Sequence, residues 1–156
     1  MLSIERKYYM QLHSSAFTDS QEMAQKYGKK IDNVSIPLAW EGAPAGTKSF
    51  ALSMVDKHPV ARNYVHWLVS DISADASELK EGASPKALPT GAKEVKPYAG
   101  PFPPSGTHNY EFTLYALKTE TLELPSKVNL EVFTQAAEQN ALATARLVGT
   151  FTKIKA

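Results

Sequence analysis

Two apolar runs in the middle of the chain alternate between hydrophobic and polar positions, and each carries an ionisable residue. Because the side chains of a strand alternate between its faces, one face of residues 49–56 should carry Phe50, Leu52, Met54 and Asp56. By the same rule, one face of the strand predicted at residues 63–72 should carry Tyr64, His66, Leu68 and Ile72. Burying an unpaired charge costs roughly several kcal/mol. Asp56 and His66 therefore each need a partner or a cavity.

A third run places another histidine on an apolar face. In residues 108–117 the alternation puts one set of side chains together, namely His108, Tyr110, Phe112, Leu114 and Ala116. If the three predicted strands are neighbours in one sheet, four polar side chains converge at one end of it, beneath the loop "GPFPPSG". These four are Asp56, His66, His108 and Tyr110. The expected result is a pocket with few polar groups and an apolar rim.

The segments between these runs predict a short strand and a proline-rich loop. Residues 33–40 are typical of a short strand in which Pro37 favours an edge or a bend. Residues 73–107 have little apolar periodicity and many prolines. A segment of this length in a small domain is either disordered or a functional loop packed over a site. Its stiff, apolar end "GPFPPSG" favours the packed loop.

The C-terminal part predicts one helix and one further strand. The stretch "NLEVFTQAAEQ" is typical of a helix that begins after a capping Asn129 and has Leu130, Phe133 and Ala137 along one face. The following "LATARLVGTF" is predicted to be helical at first and then to form a strand that stops at Gly149. The fold class predicted from all these elements is mainly β, a two-sheet antiparallel β-sandwich with a few short helices.

Length, charge and composition narrow the possible functions. A chain of 156 residues fits a single domain, residues 1–156. With 17 Lys and Arg against 16 Asp and Glu, the net charge of +1 gives no overall electrostatic footprint for nucleic acid or for an acidic membrane surface. The absence of cysteine excludes disulfides, thiolate catalysis and cysteine-based metal sites.

The sequence also predicts a location. The charged residues near the N-terminus are followed by no apolar stretch, so no signal peptide is expected. No run approaches the ~20 apolar residues of a transmembrane helix. We expect a cytoplasmic protein without a transmembrane segment.

The polar cluster also admits two other chemical interpretations, a metal site and an enzyme active site. Two histidines and one carboxylate also form a metal-ligand set suited to iron or zinc, but no spacing such as HExxH supports a metal site. Neither a "GxSxG" elbow nor a phosphate-cradling glycine-rich loop is present. The sequence therefore predicts a protein that is not an enzyme and that holds no metal or cofactor.

Several unlinked motifs carry a family resemblance. Asp56, the "HW" at His66 and Trp67, and "GPFPPSGTHNYEFTLYAL" follow one another in the order found in the phosphatidylethanolamine-binding protein family, also called the Raf kinase inhibitor protein family. "SSAF", "NVSIPLAW", "PAGTKSFAL" and "LATARLVGTF" resemble its compact bacterial and archaeal branch in order and spacing. The resemblance covers most of the chain.

The resemblance implies a β-sandwich with a small anion-binding pocket. Its pocket residues fall on Asp56, His66, His108 and Tyr110. The loop containing Pro101 and Gly106 is expected to cover the pocket, and backbone N–H groups around Gly106 and Thr107 could bind an anion.

Two positions depart from the family pattern. Where the family usually has "DPDAP" this chain has "DKHPV", so His58 replaces the second aspartate and adds a possible positive charge at the rim. In the second motif Asn109 stands where the family usually has arginine, on the face expected to point away from the pocket.

The expected function is the binding, without catalysis, of a phosphate-bearing small molecule or lipid head group. A carboxylate beside a histidine raises its pKa, so two protonated histidines and a phenol could bind several phosphate oxygens. The alternative is an interaction protein that inhibits a kinase or a protease through its surface, including the loop at residues 84–96, as some family members do. A homodimer is possible, since dimers are common in the branch that the chain resembles.

Overall fold

Eight strands form two antiparallel sheets in the computed structural model, which describes residues 9–155. The strands are β1 (Gln11–His13), β2 (Leu38–Glu41), β3 (Ser49–Asp56), β4 (Tyr64–Ser73), β5 (Glu78–Leu79), β6 (Lys93–Lys96), β7 (Thr107–Leu117) and β8 (Ala141–Thr152). One α-helix, α1 (Leu130–Asn140), and two 3₁₀ turns, Gln25–Tyr27 and Pro59–Ala61, complete the described chain. The prediction of a mainly β, two-sheet fold is confirmed. Between residues 9 and 155, no helix has the length and apolar character needed to cross a membrane.

The order of the strands brings the three predicted runs together. The small sheet has the order β1-β2-β5, and the large sheet has the order β6-β4-β3-β7-β8. β3 therefore lies between β4 and β7, as the convergence of the polar residues requires. In the register of the large sheet, Asp56 is directly opposite Tyr64 on one side and Tyr110 on the other.

Both faces of the large sheet are covered. Between the two sheets the largest buried side chains are aromatic or aliphatic, among them Trp40, Phe50, Trp67, Phe112 and Phe151. On the outer face α1 packs Phe133 and Ala137 against Leu68 and Tyr115. α1 begins where predicted, because the side chain of Asn129 accepts a hydrogen bond of 2.8 Å from the N–H of Val132.

β4 does not alternate strictly, and the prediction that Leu68 shares a face with His66 is wrong. Met54 pairs with Trp67 whereas Val55 pairs with Val65, so β4 contains one extra residue, His66, at this point. Such a bulge reverses the faces of the residues that follow, here as far as a second irregularity between Val69 and Ile72. Trp67 consequently packs between the sheets, and Leu68 packs on the outer face.

The predicted helical start and early end of the last strand are also wrong. β8 pairs with β7 along its whole length and continues through Gly149, which lies opposite Tyr110. A Cβ atom at Gly149 would lie 2.7 Å from the sulfur of Met23 and 2.9 Å from the ring of Phe17. Glycine at this position therefore permits close packing inside the strand and does not end it.

The bounds of one predicted strand and of the predicted proline-rich loop also need correction. The predicted strand at residues 33–40 is confined to β2, which begins after Pro37. The segment at residues 73–107, predicted as a loop, contains the short strands β5 and β6. β6 extends the large sheet by pairing with β4, so much of this segment is fixed by backbone hydrogen bonds.

The substitution Gly149→Val should destabilise the protein, because the added side chain overlaps Met23 and Phe17. We expect the free energy of unfolding in urea to fall by about 1–3 kcal/mol. Thr144→Val, at an exposed position of the same strand, is the matched control and should stay within about 0.5 kcal/mol of the parent protein. Equal stability of the two variants would contradict the packing role of Gly149.

Candidate functional site

The four predicted polar side chains meet in one cavity at the end of β3, β4 and β7. The cavity has a volume of about 170 Å³. Its polar wall consists of Asp56, His66, His108 and Tyr110. The ring of Tyr110 lies 5.2 Å from the ring of His66 and 6.4 Å from that of His108, centroid to centroid. The tertiary structure therefore brings together the residues that the alternation pattern and the resemblance selected.

Asp56 is buried and uses both of its carboxylate oxygens. Oδ2 accepts a hydrogen bond of 2.6 Å from Nδ1 of His108, and Oδ1 accepts one of 2.9 Å from the backbone N–H of His58. Because a carboxylate can only accept, Nδ1 of His108 must carry a proton. The other ring nitrogen of His108, Nε2, is left for a ligand. His108 is thus the histidine that Asp56 pairs with in the apolar sheet.

His66 has a different partner from the one expected. Its Nδ1 lies 2.5 Å from the carbonyl oxygen of Ala99 and donates to it, so its Nε2 is also left for a ligand. Burial lowers the pKa of His66, and this effect outweighs the opposing influence of the Ala99 carbonyl and of Asp56. The expectation that a neighbouring carboxylate keeps His66 protonated is wrong, because desolvation is the larger effect. At neutral pH, His66 is therefore in its neutral form when no ligand is bound.

Tyr110 supplies a hydroxyl group, which is a hydrogen-bond donor, to the cavity wall. Its hydroxyl is fully buried and forms no hydrogen bond of normal geometry within residues 9–155. Burial, and secondarily the charge of Asp56, raises the pKa of Tyr110, so the hydroxyl keeps its proton. A buried hydroxyl without a partner costs about 1–3 kcal/mol. The hydroxyl lies near the carboxylate of Asp56, and the pocket therefore presents a buried donor to a ligand.

The apolar rim contains residues that the sequence did not select. The rim is formed by Val60, Ala61, Tyr64, Phe102 and Pro104. The alternation pattern placed Tyr64 on the same strand face as His66, but it predicted that this face lies in the core and not at a pocket rim. Phe102 and Pro104 lie inside the predicted loop motif. No sequence pattern indicated that Val60 and Ala61 line the rim, because a single 3₁₀ turn has no periodicity to detect.

Two predicted loop residues lie outside the cavity wall. Pro101 is buried, and its carbonyl oxygen accepts a hydrogen bond of 3.0 Å from the N–H of Lys29. Gly106 is exposed with φ of 64°, and its carbonyl oxygen accepts from the N–H of Lys153 at 2.8 Å. The structure therefore places both residues in the framework of the loop, while Phe102 from the same loop reaches the pocket.

The sequence as a whole matches a known family over most of its length. The family described as phosphatidylethanolamine-binding protein matches residues 13–152. This chain belongs to that family. The family resemblance of the motifs is therefore confirmed, whereas the match by itself leaves the ligand of this protein open.

Individual relatives agree with this assignment. The chain is 34% identical to the UPF0098 protein of Methanothermobacter thermautotrophicus, in a match that covers 91% of this chain and 98% of the other. The crystal structure of Escherichia coli YbcL, described as a new member of the mammalian PEBP family, matches with a TM-score of 0.84 and 29% identity. That match covers 94% of this chain and 99% of YbcL. A phosphatidylethanolamine-binding protein homologue of Chlamydia trachomatis matches with a TM-score of 0.81 and 31% identity.

The two departures from the family pattern both lie outside the cavity wall. His58 stacks on His108 with ring centroids 4.0 Å apart and an angle of 10° between the ring planes. Its Nδ1 accepts from the N–H of Val60 at 3.2 Å, so His58 caps the 3₁₀ turn that carries part of the rim. Asn109 is exposed on the opposite face of β7, as predicted. His58 thus contacts the pocket through His108 and not directly.

Asp56→Asn should weaken the framework of the pocket. An amide has only one oxygen that accepts hydrogen bonds, whereas both oxygens of Asp56 accept one. We expect the free energy of unfolding to fall by about 1.5–3 kcal/mol, the usual contribution of a hydrogen bond to a charged group. Asp75→Asn changes the same charge at an exposed position and should have little effect. Denaturant unfolding of both variants at neutral pH measures the difference, and a loss of the same size in Asp75→Asn would contradict this role.

His66 should titrate below the ordinary histidine pKa of 6.5 in the anion-free protein. NMR titration of the imidazole signals, assigned with the variant His66→Gln, measures this directly. Because the folded state then binds fewer protons than the unfolded state, stability conferred by neutral His66 should decrease as the pH falls below about 6.5. A measured pKa at or above 6.5 without bound anion would contradict the dominance of burial.

Proposed function

We propose that this protein binds a phosphate-bearing small molecule or a phosphorylated lipid head group in the pocket, without chemical turnover. The observation that carries this proposal is the buried, unpartnered hydroxyl of Tyr110. This hydroxyl lies in the same cavity wall as His66 and His108. Each of these histidines has one ring nitrogen hydrogen-bonded to the protein and the other available to a ligand. Three polar groups thus surround one small volume.

The arrangement favours an anion because the one carboxylate of the pocket is already held by two hydrogen bonds from the protein. Both oxygens of Asp56 accept hydrogen bonds from the protein. The groups left for a ligand are the Tyr110 hydroxyl and the Nε2 atoms of the two histidines. A protonated histidine and a phenol both donate to phosphate oxygens. Once the histidines are protonated, the site therefore supplies donors where a phosphate group supplies acceptors.

The size of the cavity suits a phosphate group with a short attached group. Its volume of about 170 Å³ equals that of roughly six water molecules at ~30 Å³ each. The remainder of a larger ligand would lie at the mouth, between rim residues such as Val60 and Phe102. We therefore propose that the pocket selects the phosphate group and leaves the remainder of a larger ligand at the mouth.

Binding without turnover is proposed from the composition of the wall. Among the described residues, no serine, threonine or cysteine lines the cavity. The carboxylate of Asp56 is engaged on both sides and is not free to act as a general base. Kinase or protease inhibition, a cytoplasmic location and a homodimer stay predictions from the sequence.

Phosphate binding should strengthen as the pH falls. A bound anion favours protonated His66 and so raises the pKa of His66 above its lowered value in the anion-free protein. By linkage, the affinity for phosphate should rise as the pH falls through the pKa that His66 has in the complex. It should level off below the pKa that His66 has in the anion-free protein. Calorimetric titration with phosphate and phosphoethanolamine at pH 6 and pH 8 tests this.

Tyr110→Phe removes only the unpartnered hydroxyl and should weaken phosphate binding about tenfold or more, since a hydrogen bond to a charged group contributes roughly 1.5–3 kcal/mol. Tyr115→Phe, on the same strand but packed on the outer face, is the matched control and should bind like the parent protein. An unchanged affinity of Tyr110→Phe, or saturable binding of zinc and not of phosphate, would overturn the proposed function.

A further inference from the structure

His58 connects the wall of the pocket to its rim, although its side chain lies outside the cavity wall. Its ring stacks on the ring of His108, with the centroids 4.0 Å apart and an angle of 10° between the planes. Its Nδ1 atom accepts a hydrogen bond of 3.2 Å from the backbone N–H of Val60. This half-buried side chain therefore contacts one histidine of the wall and holds one residue of the rim.

The stack places a constraint on His108 that its hydrogen bond does not. Asp56 accepts from Nδ1 of His108 at 2.6 Å and so fixes which ring nitrogen carries the proton. One hydrogen bond in the plane of a ring leaves the tilt of that plane less restricted. The ring of His58 is almost parallel to the ring of His108, packs against one of its faces and restricts this tilt. Asp56 and His58 together therefore set the direction in which Nε2 of His108 points.

The same side chain fixes the 3₁₀ turn Pro59–Ala61, which carries two rim residues. Because Nδ1 of His58 accepts from the N–H of Val60, this nitrogen carries no proton, and the proton of the neutral ring is on Nε2. The backbone N–H of His58 itself donates to Asp56 at 2.9 Å. The carboxylate that orients His108 therefore also anchors the residue that caps the turn.

The ring is the part of this arrangement that is particular to His58. The family usually has an aspartate at this position. An aspartate side chain also caps a turn by accepting from a backbone N–H. It has no ring to stack on His108, however, and it would place a second carboxylate beside the pocket. The stack is therefore a property of this chain, whereas the cap is open to either residue.

We propose that His58 is a positioning residue that controls phosphate binding in two separable ways. Through its ring it holds the plane of His108, so that Nε2 of His108 is preorganised for a phosphate oxygen. Through its Nδ1 it holds Val60 and Ala61, so that the rim is preorganised for the group attached to the phosphate. The proposal deepens the proposed function and rests on it, because it assigns to His58 a part in the affinity and the selectivity of the same pocket.

Two substitutions separate the ring from the cap, and calorimetric titration with phosphate and phosphoethanolamine measures their effects. His58→Asn keeps an acceptor for the N–H of Val60 but removes the ring, whereas His58→Phe keeps a ring on His108 but removes the acceptor. His58→Asn should weaken the binding of both ligands equally, by roughly two- to tenfold, the range expected when one side chain loses its order. His58→Phe should weaken phosphoethanolamine binding by a similar factor and change phosphate binding by less than about twofold.

His13→Asn and His13→Phe are the matched controls, because they make the same changes at an exposed histidine of β1 outside the pocket. Both should bind the two ligands like the parent protein. NMR of the anion-free proteins measures the two contacts of His58 directly. Amide hydrogen exchange of Val60 should accelerate in His58→Phe but not in His58→Asn. The ring signals of His108 should shift more in His58→Asn than in His58→Phe, and urea unfolding verifies that every variant is folded.

The parent protein and the variants together separate this proposal from the function of the pocket. A parent protein that binds neither ligand would overturn the proposed function, and with it the role of His58 in binding. Phosphate binding that is unchanged in His58→Asn, or equal losses for the two ligands in His58→Phe, would overturn the role of His58 and leave the pocket function intact. Losses of the same size in the His13 variants would also overturn the role of His58.

Discussion

The hydrogen-bonded pair of Asp56 and His108 joins the central strand β3 to its neighbour β7 inside the sandwich. Each carboxylate oxygen of Asp56 accepts one hydrogen bond from the protein, one from His108 and one from the backbone N–H of His58. This arrangement fixes the tautomer of His108 and holds His58, which caps the 3₁₀ turn that forms part of the rim. Hydrogen bonds from two segments of the chain therefore fix the one carboxylate of the pocket wall.

The second histidine reaches the pocket through an irregularity of the sheet. The bulge in β4 adds His66 between two paired residues, so that His66 faces the cavity while the following Trp67 still packs between the sheets. Burial lowers the pKa of His66 and keeps this histidine neutral at neutral pH. The two histidines of the wall therefore differ in their surroundings: His108 is paired with a carboxylate, and His66 donates to a backbone carbonyl group.

The charged residues of this molecule form two separate arrangements, one inside the cavity and one on the surface beside it. Inside the cavity one carboxylate is matched by hydrogen bonds, which keeps the buried charge tolerable. Outside, lysines from distant parts of the sequence, such as Lys30 and Lys153, lie along the same groove although the chain is almost neutral overall.

By itself, the sequence determined the mainly β class, the capped helix α1 and the four polar wall residues, because strand alternation, capping and motif order are local properties of the chain. The tertiary structure decided which histidine Asp56 pairs with, that β8 continues through Gly149, and which face Leu68 occupies. It also placed Val60 and the lysines at the mouth. These features depend on strand order, bulges and burial, which arise from contacts between residues far apart in sequence and leave no periodic pattern to detect.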